Sequence, residues 1–156
     1  MKKSLYIILG VVVVALLYGL STYNSLVRGN ENINNQWAQV ETQYQRRFDL
    51  IPNMVKAASG VMKQEQAVFG AIADARTRYA GAKNVNDKVK AANEVESSLA
   101  RLLVVTENYP QLKSSDNVTN LTVELEGAEN RVSIERKKFN DATRDYNLTV
   151  KRFPGS

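Results

Sequence analysis

Three observations predict an all-α protein with a membrane-spanning helix at its N-terminus and a helical bundle behind it. Residues 4–27, SLYIILGVVVVALLYGLSTYNSLV, carry no charge and lie between Lys3 and Arg28. Behind them, apolar residues recur at spacings of three and four almost to the end of the chain, the stripe left by helices that bury one face. Proline and glycine punctuate that stripe at only a few places.

The first segment is long enough to cross a bilayer, because about 20 helical residues span the roughly 30 Å hydrocarbon layer. Tyr6, Tyr18 and Tyr23 lie near its two ends, where interfacial aromatics sit. The competing reading is a cleaved signal peptide with Lys2 and Lys3 as its basic region, but Gly19-Leu20-Ser21 is a poor cleavage pattern. Without a Cys, lipoprotein processing is excluded. The expectation is an uncleaved anchor over residues 1–28, embedded through residues 4–27, and a body over residues 29–156. No second apolar run of comparable length follows, so the protein reads as single-pass. Lys2 and Lys3 precede the span and Arg28 alone follows it closely, which favours the N-terminus inside and the body on the outer side of the membrane.

Tyr23 to Gly29 holds one glycine and no proline, so the anchor is expected to run on into the first body helix, with Gly29-Asn30 as the place for any hinge. In residues 30–48, Ile33, Trp37, Val40, Tyr44 and Phe48 form an apolar stripe. Residues 51–79 continue with Ile51, Met54, Val55, Ala58, Val61, Met62, Val68, Phe69, Ile72, Ala75 and Tyr79, and Gly81 closes the pattern. The third segment, Val85 to Tyr109, uses Val89, Ala92, Val95, Leu99, Leu102, Leu103 and Thr106 and stops before Pro110. Ser114-Ser115-Asp116-Asn117 is a loop that supplies an N-cap for a last helix running to about Arg152. In that helix Val118, Leu125, Val132, Phe139, Tyr146 and Phe153 fall at a strict seven, as in a coiled-coil seam.

Composition narrows function by exclusion. The chain has 156 residues with no His and no Cys. It therefore owns no side chain for a thiolate or imidazole metal site, a disulfide, a Cys nucleophile or a Ser-His-Asp triad. No cofactor is expected, and the glycine-rich phosphate loops are absent from the sequence. Of the +5 net charge, three units are Lys2, Lys3 and Arg28; the remaining body has 18 basic and 16 acidic residues, interspersed. Nucleic-acid binding concentrates bases on one face, so it is not expected here.

Arg46-Arg47-Phe48-Asp49-Leu50-Ile51-Pro52-Asn53 is the most unusual stretch. Proline costs little at the first position of a helix and breaks or kinks it elsewhere, so two outcomes stand: a turn, giving four body helices, or one long kinked helix, giving three. As a functional site, Arg46, Arg47, Asp49, Pro52 and Asn53 would present guanidiniums and polar caps to a partner's carboxylate or phosphate. As architecture, the arginines would oppose a helix C-terminal dipole, and Asp49 or Asn53 would cap the next helix. Elsewhere, acids such as Glu65, Glu107, Glu129 and Glu135 would need partners if buried, with Arg76, Arg101 and Arg136 the expected ones.

Taken together, Tyr23-Asn24-Ser25-Leu26-Val27, Trp37-Ala38-Gln39-Val40, Arg46 to Val55, Ala75-Arg76, Glu107-Asn108-Tyr109-Pro110-Gln111-Leu112, Glu129-Asn130, Tyr146-Asn147 and Phe153-Pro154 resemble the bacterial LemA family over nearly the whole chain. The resemblance implies an N-terminal transmembrane helix followed by an antiparallel four-helix bundle of long helices, in a family without an established biochemical activity. Some relatives are associated with building internal membranes. It also implies a short Gly- and Phe-containing continuation after Phe-Pro, where this chain reads Gly155-Ser156.

Two function classes follow. The first is a non-enzymatic scaffold that binds a membrane or envelope protein, or itself, and would show exposed apolar residues. The second is a lipid-contacting or membrane-remodelling protein, which would show a cationic face level with the anchor. Catalysis by carboxylates is a weaker third reading, since it would need a deep acidic pocket.

Overall fold

The computed structural model describes residues 2–152, with side chains described from Tyr6 onward. Five helices follow one another: α1 (Lys2–Ser59), α2 (Gln66–Gly81), α3 (Val85–Thr106), the single-turn α4 (Pro110–Lys113) and α5 (Asp116–Lys151). No strand occurs among the described residues. The architecture is the all-α bundle with an apolar N-terminal helix that the sequence predicts. Phe153, the last member of the heptad series, and the Phe-Pro-Gly-Ser end lie outside the described residues.

Of the two outcomes open at Pro52 the structure has the continuous helix, and two boundaries differ from the sequence reading: α1 ends at Ser59, and a separate turn, α4, follows α3. α1 runs unbroken through Pro52, so no turn forms at Arg46–Asn53. The break falls instead after Ser59, where Gly60 lowers helix propensity and the amides of Val61 and Met62 both donate to the Ala58 carbonyl at 3.0 and 2.9 Å. Met62 is fully buried inside this turn, which is why the apolar stripe of residues 51–79 reads as continuous although the backbone does not. Downstream, Asn84 caps α3 by accepting from the Asp87 amide at 2.9 Å, and Pro110 opens α4 where its missing N–H costs nothing.

The chain forms two compact units, both drawing on α1 and α5. The first takes α1 up to Glu41 and α5 from Ser133. Within it, the side chains from Tyr6 to Leu20 are exposed, and the helix is long and apolar enough to cross a membrane. Farther along, Trp37 packs edge-on against Phe139 with ring centroids 5.3 Å apart. At Gly29, an added Cβ would stand 2.8 Å from Cδ2 of Tyr146, so the absence of a side chain lets the Tyr146 ring lie on α1. Gly29 thus serves close packing inside a continuous helix and no hinge forms there.

The second unit is Thr42–Val132. Its core is Tyr44, Phe48, Ile51 and Met54 from α1, Ile72 and Tyr79 from α2, Val95, Leu99 and Leu102 from α3, Leu112 from α4, and Leu121 and Leu125 from α5. Tyr44, Phe48 and Tyr79 form an aromatic cluster, with Phe48 and Tyr79 at 4.8 Å and nearly perpendicular.

Candidate functional site

The stretch singled out in the sequence is divided by the helix on which it lies. Residues 47, 48, 51 and 54 share the inward face of α1, and 46, 49, 52 and 53 the outward one. Arg47 is therefore a core residue, its side chain 5% exposed. Nη1 donates to Oε1 of Glu96 on α3 at 3.2 Å, and Nη2 to Oε2 of Glu129 on α5 at 2.7 Å. One planar guanidinium thereby ties three helices through two carboxylates, an arrangement that needs the forked donors of Arg. Glu96 is 24% and Glu129 60% exposed, so the ion cluster is sealed at its cation and open at its anions. The Nε of Arg47 is buried and finds no acceptor among the described residues.

Arg46, Asp49, Pro52 and Asn53 are exposed along the outer face of α1, where Asp49 accepts a hydrogen bond from Gln45 at 3.0 Å. The fold brings Arg47 together with none of them; it joins Arg47 to Glu96 and Glu129 instead. Sequence reading raised Glu129 as a candidate inward acid but paired it with other arginines, and it missed Glu96 altogether. The available signal was position: Arg47 lies seven residues after Val40 and one turn before Ile51, on the apolar stripe itself. Of the other suspected acids, Glu65 accepts from the Tyr109 hydroxyl at 3.5 Å and Glu135 pairs with Lys138 at 2.9 Å.

A different surface carries an exposed apolar side chain, Val123. Between the C-terminal end of α3, α4 and the start of α5 lies a groove of about 300 Å³. Leu103, Val118 and Val123 give it an apolar floor and wall, and Glu107, Lys113 and Glu126 stand at its rim. Val123, five residues after the buried Val118, is 62% exposed. Such an apolar strip with two acids and one base around it fits an amphipathic segment better than a small polar metabolite.

Comparison with known proteins agrees with this helical, membrane-linked picture. The model described as LemA family matches residues 36–156. Two magnetosome proteins of Paramagnetospirillum magneticum, MamQ 1 and MamQ 2, are each 24% identical to this chain over 161 residues, covering 86% of it. MamQ of Magnetospirillum gryphiswaldense is 22% identical over the same length. The chain spans 59% of the length of each of these relatives. Their names indicate no catalytic activity. The apolar N-terminal helix and these relatives together point to a membrane-associated protein.

Proposed function

The chain belongs to the LemA family, and from that premise we propose that it is a non-enzymatic, single-pass membrane protein whose bundle docks a partner protein. In this reading residues 1–28 are the anchor and residues 29–156 the interaction module, held on the outer side of a bacterial cytoplasmic membrane. The partner is a membrane or envelope protein that inserts an apolar helix flanked by basic residues.

The observation that carries the proposal is the groove at Leu103, Val118 and Val123. An exposed valine gains nothing for the fold, whereas covering it with a partner's apolar face removes that surface from water. The acids Glu107 and Glu126 at the rim complement a basic flank. The outer face of α1, with Arg46, Asp49, Pro52 and Asn53, is the competing docking surface. A role in organising the lipid bilayer is the alternative function, and its support is the end of α5 discussed below.

A photoreactive amino acid placed at position 123 in living cells tests the groove. The proposal expects a discrete protein adduct from position 123 and none from the exposed position 130 on the same helix. Indistinguishable patterns from the two positions would reject it.

A further inference from the structure

The packing of the first unit determines what lies beside the end of the apolar span. Trp37 meets Phe139 and Gly29 meets Tyr146, so α1 and α5 run in opposite directions with a fixed register. At 1.5 Å per residue, Arg152 lies about 9 Å beyond Tyr146 and comes level with Tyr23. The helix holds to that point, since the Arg152 amide still donates to the Leu148 carbonyl at 3.2 Å. About twenty residues counted from Leu5 reach Asn24, so the end of α5 stands where the hydrocarbon layer would give way to headgroups.

The charges at this height have one sign. Arg28 is the only charged residue of α1 between positions 4 and 30, and Lys151 and Arg152 are the only ones after position 145. All three are exposed. The nearest acids of α5 are engaged, with Asp141 at 3.2 Å and Asp145 at 3.6 Å from Arg144. Glu31 lies a turn past Arg28, away from the span. Beside these cations Leu148 is 43% exposed, an apolar side chain suited to the interfacial zone.

We infer that the last turn of α5 is a second membrane contact, in which Lys151 and Arg152, with Arg28, bind anionic lipid headgroups while Leu148 enters the interface. The inference rests on α1 being the membrane span. Each basic side chain at an anionic surface favours contact about fivefold, and the effect fades within a Debye length of roughly 8 to 10 Å. Only residues at headgroup height contribute, and the register puts these there. A single span leaves a protein free to rotate about the helix; a basic turn beside it fixes which side of this unit faces the lipid.

Because the chain contains no Cys, single cysteines can be introduced and labelled without background. The full chain, with a fluorophore at Val14→Cys or Leu148→Cys, is reconstituted into vesicles of phosphatidylcholine alone or mixed with phosphatidylglycerol. Lipids carrying nitroxide at the headgroup or along the acyl chain serve as quenchers. Position 14 should be quenched by acyl-chain nitroxide equally in both vesicles. Position 148 should be quenched by headgroup nitroxide several-fold more in the anionic vesicles, and K151E/R152E should abolish that difference while leaving helicity unchanged. Equal quenching of position 148 in both vesicles, or a difference that survives K151E/R152E, would overturn the inference while leaving the span intact. Failure of position 14 to meet acyl-chain nitroxide would instead overturn the span, and the second contact with it.

Discussion

Arg47 of α1 holds Glu129 of α5 at 2.7 Å with a guanidinium almost sealed from solvent. The same group reaches Glu96 of α3, so removing it leaves a partly buried carboxylate without its cation and opens a void among Phe48-level core residues. Arg47→Ala should therefore cost about 3 kcal/mol, and the neighbouring Arg46→Ala less than about 0.5 kcal/mol. Denaturant melts of the detergent-solubilised chain read both, and equal losses would place the two arginines on the same footing.

Gly29 and Tyr146 give a coupled pair. Alanine in a helix interior ordinarily gains up to about 1 kcal/mol over glycine, but here its Cβ would stand 2.8 Å from a ring atom. Gly29→Ala should destabilise the native chain and become neutral or stabilising in a Tyr146→Ala background. A double-mutant cycle without coupling would show that the ring is elsewhere.

Pro52 lies inside α1 and is exposed, so it removes a backbone hydrogen bond and crowds the carbonyl of Phe48 with no burial to offset the cost. Pro52→Ala should raise stability by about 1 to 3 kcal/mol in thermal or denaturant unfolding. A loss of stability would mean that α1 needs the proline's local geometry.

Trp37 is buried against Phe139, and Trp37→Ala should cost about 3 to 5 kcal/mol. Melts showing little loss would move the indole out of the core.

The helical class and the apolar span were legible because both rest on periodicity and charge, which are local. The exit from α1 was not, because Met62 keeps its place in the apolar stripe while the chain turns around it. Pro52 left a turn and a continuous helix both open, and the buried Ile51 and Met54 on either side lie in a helix that runs through it. Arg47 was legible as important and misleading as to why: Glu96 and Glu129 are 49 and 82 residues away, and pairing over such separations has no signature in one sequence. The groove at Val123 depends on the way α3, α4 and α5 meet, which no single stripe encodes.

Docking of a partner in the α3–α5 groove, as proposed above, requires the exposed Val123. Crosslinking in intact cells followed by mass spectrometry tests it most directly, comparing the native chain with Val123→Glu and with Arg46→Ala/Asp49→Ala at matched abundance. Defined protein neighbours should disappear with Val123→Glu and persist with the α1 substitutions. Neighbours that survive Val123→Glu would contradict it, and their loss in Arg46→Ala/Asp49→Ala would move the docking surface to α1.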